Sequence, residues 1–319
     1  MNLTHRARLA LTGAAIGGML LVTAAPVTAA EKDPSTPVSS DGTTVSAAAL
    51  DAMPDVTMVP ATRGTGVTGS DGASHTADLS GRPENLMGAQ SVIGTDDRIR
   101  ETDTTWWPAS ATVQLTRVAN GATIFYCTGW LIGPNTVITA GHCVFSHDNG
   151  GWRTGQGVRA WPGRNGTAAP YGSCASISMH SVNGWINDRN SQYDYGAIKL
   201  DCTVGNTVGT YGFRWQSASL NGTGTSTRGY PGDKPDGEQW ASYDQIRVSQ
   251  DRELFYHNDT VGGQSGSPIY TYRDDCGPCG LAVHAYGLRT GGSPPFSNHN
   301  RGTRITEAVF TNFQYWNGL

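Results

Sequence analysis

Residues 91–319 are predicted to form an all-β domain that ends in one helix. Short apolar and β-branched runs recur through this part, separated by Gly, Asn, Pro and Ser, and that pattern is typical of antiparallel sandwiches and barrels. Helical periodicity is convincing only near the C-terminus. All 28 aromatic residues (9 Trp, 12 Tyr, 7 Phe) and all six cysteines also lie in this part. These observations set the predicted fold class.

The predicted strands can be read from the apolar runs. In chain order they cover residues 111–116, 124–131, 136–140, 195–200, 245–249, 267–272 and 281–285. The residues that share the apolar face of the predicted helix are Ile305, Val309, Phe310, Phe313 and Trp316. Thr303 precedes this face, and a threonine there is a suitable helix cap, so we predict that it caps the helix.

The first 90 residues form a separate compositional zone with no aromatic residue and no cysteine. Residues 1–30 have the parts of a secretory signal peptide: a basic start at 5–8, an apolar stretch at 9–23 and small residues at 27–30. The alternative is a membrane anchor. Glycines interrupt the apolar stretch and Pro26 ends it, so it is short for a membrane span and a signal peptide is favoured.

Residues 31–90 are predicted to be a propeptide that is disordered when isolated. They are rich in Ala, Thr, Ser, Gly and Asp, with five prolines between 34 and 83, and cannot bury much apolar surface. Composition alone does not separate a removable propeptide from a stalk. The structured domain is predicted to begin at Ser91, and we expect the mature protein to be secreted and extracellular.

The charge of residues 91–319 is close to balanced, with 17 Lys and Arg against 18 Asp and Glu. No basic cluster stands out, so we expect no nucleic-acid partner. After signal removal we also expect no membrane association.

The six cysteines of an exported chain predict three disulfides. Cys127 and Cys143 lie sixteen residues apart around His142 and are paired, which leaves Cys174 with Cys202. The sequence Cys276-Gly277-Pro278-Cys279 could instead be half of a zinc site or a redox motif. A zinc site needs a second ligand pair and a redox motif needs a βαβ context, so a small loop-closing Cys276–Cys279 disulfide is favoured.

Three segments together predict nucleophilic catalysis: residues 139–143 (TAGHC), 194–198 (DYGAI) and 262–268 (GGQSGSP). A serine hydroxyl needs a base to become a nucleophile, and a buried aspartate fixes the tautomer of a histidine base. We therefore predict Ser265 as nucleophile, His142 as base and Asp194 as its partner. The amides of Gly263 and Ser265 are predicted to bind the oxyanion. Singly, each segment could be a packed histidine, a strand start or a plain turn.

These segments resemble the signature segments of the chymotrypsin-like serine proteases. More narrowly, the chain is similar to the bacterial glutamyl endopeptidases, since residues 229–235 read GYPGDKP. The resemblance covers residues 91–319 and implies two six-stranded antiparallel β-barrels of Greek-key type, with protein or peptide substrates. We expect a monomer. The competing interpretation, an inactive protease-like binding module, is disfavoured because all three triad positions are filled.

The resemblance also implies a pocket for a glutamate on the amino side of the cut bond, the P1 residue. The matching positions are Thr260, His284 and the α-amino group of Ser91, if cleavage follows Gln90. Asp259 leaves open a basic or broad preference, if its carboxylate enters the pocket. Gln264 precedes Ser265, so the trypsin-type activation switch, which needs an Asp there, is not expected.

No cofactor and no metal site are predicted. The acidic pairs Asp96-Asp97 and Asp274-Asp275 could help to hold a structural calcium ion. Exposed acidic loop residues are usually only solvated, so calcium is not predicted.

Overall fold

Two closed β-barrels make up the chain from residue 91 onward. The structure is a computed structural model that describes residues 33–66, 91–148 and 150–319. The eighteen strands are β1 Pro37–Ser39, β2 Met58–Val59, β3 Ile99–Glu101, β4 Thr112–Ala119, β5 Ala122–Leu131, β6 Thr136–Thr139, β7 Phe145–Ser146, β8 Gly151–Trp152, β9 Arg159–Pro162, β10 Cys174–Val182, β11 Gly196–Leu200, β12 Gly212–Arg214, β13 Gly224–Gly229, β14 Gln239–Ser249, β15 Glu253–Tyr256, β16 Pro268–Arg273, β17 Gly277–Tyr286 and β18 Asn300–Arg304. The α-helices are α1 Ala47–Asp51, α2 Gly141–Val144, α3 Asn183–Ile186, α4 Gly205–Val208 and α5 Glu307–Asn317.

Each barrel is a ring of six strands. The first runs β10-β11-β6-β5-β4-β9 and closes through the antiparallel pair β9–β10. The second runs β16-β13-β14-β15-β18-β17 and closes through the pair β16–β17. The predicted fold, two six-stranded barrels followed by a C-terminal helix, is confirmed.

The seven predicted strands are all present, several with longer ends. The run predicted at 245–249 is the end of β14, which begins at Gln239. The predicted helix cap was wrong. Thr303 lies in β18 opposite Glu253, and the N-cap is Thr306, whose side chain accepts a hydrogen bond from the Val309 amide. The helix therefore begins at Glu307, and Ile305, which was predicted to lie on its apolar face, precedes it.

Helix α5 joins the two halves of the core with aromatic side chains. Phe313 packs against Trp130 of the first barrel, and Phe310 packs against Phe213 of β12, with ring centroids 6.0 and 5.0 Å apart. Leu254, Ile269 and neighbouring side chains form a smaller core inside the second barrel.

The sequence analysis predicted that the structured part begins at Ser91, but residues 33–66 also form defined structure. Residues 33–66, here called the strap, lie along both barrels: β1 pairs with β10 and β2 pairs with β12. The strap has no core of its own and forms its elements on strand edges that the barrels provide. The signal segment 1–30 lies outside the described residues.

Three disulfides join the predicted pairs, Cys127–Cys143, Cys174–Cys202 and Cys276–Cys279. No helix in the described ranges is long and apolar enough to cross a bilayer.

Candidate active site

His142 and Asp194 form a hydrogen-bonded pair on the first barrel. His142 lies in α2, directly after β6, and Asp194 precedes β11, which pairs with β6. The Nδ1 atom of His142 lies 2.8 Å from Oδ2 of Asp194, and the His142 backbone amide donates to Oδ1 at 2.8 Å. Asp194 is fully buried, whereas 31% of the His142 side chain is exposed. The other ring nitrogen is thus the one that can act on a substrate.

Tyr286 is a site residue that the sequence analysis missed. Its hydroxyl donates a hydrogen bond to the Asp194 carboxylate, and its ring centroid lies 6.1 Å from that of His142. Burial alone would raise the pKa of Asp194, but His142 and these hydrogen bonds bring it below its ordinary value. Asp194 is therefore held as a carboxylate. No local sequence pattern reveals this contact, because it joins β17 to a residue of the other barrel.

The Tyr286 ring is itself supported from behind by a buried ion pair. The guanidinium of Arg301 lies 4.4 Å from the ring centroid. Nε of Arg301 donates to Oε1 of Glu253 at 3.0 Å, with both side chains nearly inaccessible. The cation over the ring face helps to hold the ring in place.

Ser265 comes from the second barrel, in the turn between β15 and β16. Its carbonyl accepts the Thr128 amide at 2.9 Å and lies 3.7 Å from Sγ of Cys143, the residue after His142. These contacts place the Ser265 backbone against Thr128 of the first barrel and beside Cys143, the neighbour of His142.

Glycines shape the turn around Ser265. Gly263 and Gly266 have φ values of +101° and +89°, which are left-handed conformations that favour glycine. A β-carbon on Gly263 would lie 2.6 Å from Phe125, and one on Gly266 would lie 2.2 Å from the Thr128 carbonyl. The Gly263 carbonyl is fixed by the Thr128 hydroxyl at 2.9 Å. Among the described residues, neither Gly263 nor Ser265 donates its amide to another backbone group, so both N–H groups are available to an oxyanion.

His284 lies beside this turn with a defined tautomer. Its amide donates to the Ser267 carbonyl, and its own carbonyl accepts the Gly266 amide. Nδ1 lies 2.7 Å from the hydroxyl of Tyr256, which sequence reasoning also missed. Burial raises the pKa of Tyr256 far above its ordinary value, so the hydroxyl keeps its proton. Among the described residues, Nδ1 is the only hydrogen-bond partner of this buried hydroxyl, so the hydroxyl donates to Nδ1, because its proton would otherwise be unsatisfied. Burial, with His142 and Arg301 nearby, lowers the pKa of His284 to about 3. The neutral ring therefore carries its proton on Nε2, where it can be donated.

Thr260 and Ser91 are brought together by an antiparallel bridge between their backbones. Oγ1 of Thr260 is buried and has no hydrogen-bond partner among the described residues. Ser91 is buried as well, and its carbonyl accepts the Nδ2 group of Asn300 at 2.7 Å. The structure thus places a hydroxyl and the first residue of the predicted mature chain side by side.

The carboxylate of Asp259 contacts the residues that follow Ser91. Its Oδ1 accepts the Ile93 amide at 2.7 Å and its Oδ2 accepts the Asp97 amide at 3.2 Å. Burial raises the pKa of Asp259, although these amides oppose the rise. The carboxylate therefore anchors residues 91–98, here called the N-terminal arm, with both of its oxygens engaged there.

The GYPGDKP segment fixes the same arm. Arg98, which is almost completely buried, forms two hydrogen bonds to Asp233 at 3.0 and 2.6 Å and also pairs with Asp96. Lys234 pairs with Asp96 at 3.0 Å. The Gly232 amide donates to the Gly262 carbonyl, which links this segment to the nucleophile turn.

Two clusters of three potential metal-ligating side chains occur in the described residues. The two clusters of such groups are Cys127 with His142 and Cys143, and Cys174 with Asp201 and Cys202. In each cluster both sulfur atoms are joined in a disulfide, and only a thiolate binds metal well. Asp275, from one of the acidic pairs considered for calcium, pairs with Arg273.

Comparison with known proteins agrees with this geometry. Residues 97–272 match the family described as Trypsin. A glutamyl endopeptidase of Bacillus licheniformis is 46% identical over 231 residues, which cover 71% of this chain and 69% of that protein. A solved structure of a Glu endopeptidase in complex with MPD is 28% identical, with a TM-score of 0.61, and covers 72% of this chain and 100% of its own.

A longer match extends beyond the barrels. A Bacillus subtilis (strain 168) protein named extracellular metalloprotease is 41% identical over 293 residues, which cover 91% of this chain and 90% of that protein. Residues 91–319 alone make up only 229 of the 319 residues, so this similarity reaches into the first 90. The barrels, the serine turn and these relatives together place the chain in the trypsin family, as a chymotrypsin-like serine endopeptidase related to the glutamyl endopeptidases.

Proposed function

We propose that this protein is a secreted serine endopeptidase that cuts peptide bonds after glutamate, and less readily after aspartate. The observation that carries the proposal is the backbone bridge between Ser91 and Thr260, together with the backbone bonds that hold His284 against the turn of Ser265. A hydroxyl, a neutral imidazole N–H and an α-ammonium group together satisfy a carboxylate that leaves water.

In the proposed reaction, Oγ of Ser265 attacks the scissile carbonyl carbon while His142 takes its proton on Nε2. The carbonyl π electrons move to oxygen, and the Gly263 and Ser265 amides stabilise the resulting oxyanion. One such donor contributes on the order of 3–4 kcal/mol to lowering the barrier. Asp194 stabilises the imidazolium. His142 then gives its proton to the leaving amine as the C–N bond breaks, and water hydrolyses the acyl-enzyme by the same steps.

Selection of glutamate follows from the protonation of the pocket. His284 is neutral above about pH 3, so its Nε2–H donates to the substrate carboxylate without supplying a full charge. Thr260 contributes a second donor. The positive charge comes from the α-amino group of Ser91, which exists only after cleavage between Gln90 and Ser91. Loss of residues 1–30 as a signal, followed by cleavage at the end of the 31–90 propeptide, thus completes the pocket.

The alternative P1 preference, for Lys or Arg, would require the Asp259 carboxylate to enter the pocket. Both Asp259 oxygens instead accept amides of the N-terminal arm. Turning the side chain would break both of these hydrogen bonds, each worth roughly 0.5–1.5 kcal/mol.

Matched substrates that differ only at P1 test the proposal. Glu, Gln, Asp and Arg substrates are compared by kcat/KM, using enzyme whose N-terminus has been sequenced. We expect Glu to exceed Gln by roughly 10- to 100-fold, the range for charge-assisted hydrogen bonds. A clear Arg preference would overturn the glutamyl proposal. Ser265→Ala is the control for the triad, because it should abolish both cleavage and labelling by a fluorophosphonate.

Asp259→Asn separates the two specificities further. If Asp259 only anchors the N-terminal arm, the variant loses activity toward Glu and gains none toward Arg. If Asp259 binds a cationic P1 residue, the variant loses Arg cleavage and keeps Glu cleavage.

A further inference from the structure

The strap makes contacts that a discarded propeptide does not need. It runs along the edge of β10, past α5, along β12 and onto the connection between the barrels. We infer that the strap stays noncovalently bound after the chain is cut before Ser91, so that the mature protease consists of two chains. This inference rests on the cleavage proposed above.

The first anchor is an added β-strand. Pro37, Val38 and Ser39 pair in antiparallel register with Val182, Ser181 and His180. Without β1, this side of β10 would expose unpaired backbone groups, which makes it a docking edge. Residues beyond the strand lock its position, since the Ser40 amide donates to Met179 and the Asn183 amide donates to Thr36.

Helix α5 adds a buried polar contact to this anchor. The Nδ2 group of Asn312 donates to the Ser35 carbonyl at 2.8 Å and to the Tyr195 hydroxyl at 2.8 Å. Asn312 is only 2% exposed. Loss of the strap would remove one of the two partners of this amide, which opposes release.

The second anchor lies on the other barrel and the connection. Beyond β2, the Ala61 amide donates to the Cys276 carbonyl. Thr62 and Thr210 exchange two hydrogen bonds, at 3.1 and 2.8 Å. The Arg63 guanidinium lies 4.6 Å from the Trp107 ring centroid. One continuous segment therefore holds both barrels, and its anchors must open together for it to leave.

The fit between strap and barrels is close at glycines. A β-carbon on Gly64 of the strap would lie 2.1 Å from the Thr207 carbonyl oxygen. On the protease side, a β-carbon on Gly212 would lie 2.6 Å from the Ala61 amide nitrogen. Backbone meets backbone at these points, so the contact leaves no room for a side chain at either glycine.

The strap also leaves the catalytic site open. Within the described ranges, its hydrogen bonds fall on β10, α3, α5, β12, residues 206–215 and Cys276, and none falls on the triad, Thr260 or His284. A bound strap is thus compatible with activity. Glu31 and Glu84 are the only glutamates in the first 90 residues, so a protease that cuts after glutamate has no preferred bond inside the strap.

The retention test uses an inactive full-length chain, so that its outcome does not depend on substrate preference. In a Ser265→Ala chain, residues 85–90 are replaced by the recognition sequence of an unrelated site-specific protease that cuts directly before Ser91. After cutting, native mass spectrometry should detect a one-to-one complex of the two fragments, which separate under denaturing conditions. Detection of the 91–319 fragment alone under native conditions would overturn the inference. Failure of the glutamyl proposal would appear only in the P1 profile of the active enzyme.

A strap variant tests the docking geometry. Gly64→Val should release the strap at least about tenfold faster than the parent chain, because its side chain has no room against Thr207. Asp55→Ala, at an exposed position of the strap, is the matched control and should behave like the parent. Equal retention by both variants would contradict the docking. If Gly64→Val does not fold, the cut parent chain still decides the inference.

Discussion

The hydroxyl of Tyr256 offers a direct test of how the pocket selects its substrate. Tyr256 is completely buried, and its hydroxyl donates to Nδ1 of His284 at 2.7 Å. That bond forces the single proton of the neutral imidazole onto Nε2. The substitution Tyr256→Phe removes the donor and leaves the rest of the ring in place.

The expected loss can be worked from this one contact. Without the hydroxyl, Nδ1 of His284 becomes a buried acceptor that has no donor. The tautomer of the ring is then no longer fixed. An unsatisfied buried polar group costs roughly 1–3 kcal/mol, which is about 5- to 150-fold in a rate ratio. The loss should fall on substrates with Glu at P1, because only they use the Nε2–H group.

The assay compares kcat/KM for matched P1-Glu and P1-Gln substrates. Tyr256→Phe should lower the Glu to Gln ratio by at least about fivefold. Tyr272→Phe makes the same chemical change at a residue that is 54% exposed, and it should leave the ratio unchanged. If both variants keep the parent ratio within a factor of about two, His284 does not act through a fixed Nε2–H and the reasoning is wrong.

Three further predictions concern the triad, the N-terminus and acid stability. Tyr286→Phe should lower kcat roughly tenfold with little change in KM, because the Asp194 carboxylate loses one donor; steady-state kinetics equal to the parent would contradict this. Enzyme that retains a few residues before Ser91 should cleave P1-Glu substrates poorly, whereas full activity of such a sequenced preparation would exclude a role for the α-amino group. Burial lowers the pKa of His180 to about 4, so between pH 6.5 and 4 the unfolded chain binds more protons than the folded chain. The free energy of unfolding should therefore fall by up to about 1.4 kcal/mol per pH unit as the pH drops through this window. Urea unfolding of the parent and of His180→Gln at pH 7 and 4.5 measures the effect, and equal pH dependence in both would refute it.

The strands, the His142–Asp194 pair and the glycine-rich turn of Ser265 could be predicted because their information is local. Apolar runs mark the strands, and glycines flank the nucleophile because its turn needs left-handed backbone. The cap of α5 was misplaced for the opposite reason. Thr303 has the chemistry of a cap, but it lies in β18 and pairs with Glu253 of β15, which is 50 residues away in the chain. Helix-capping propensity depends on neighbouring residues only and does not reveal a distant strand partner.

The strap escaped prediction in a different way. A segment without aromatic residues cannot build a core of its own and is not expected to fold alone. It can still dock on a preformed strand edge, because backbone hydrogen bonds need no particular side chains. The residue types at Pro37 and Ser39 do not predict a strand, because the pairing depends on backbone groups that β10 supplies.

The orientation of Asp259 also depended on distant residues, and it connects processing with specificity. The N-terminal arm carries Ser91 to Thr260 and, through the Ile93 and Asp97 amides, holds the Asp259 carboxylate. Cleavage before Ser91 then adds a positive charge where the arm has already engaged the nearby negative one. Both changes favour an acidic P1 residue over a basic one. The GYPGDKP segment reinforces the arrangement, because Asp233 fixes the arm through Arg98. In the proposed function, the charge preference of the pocket is therefore a property of the seated arm as much as of the residues that line the pocket.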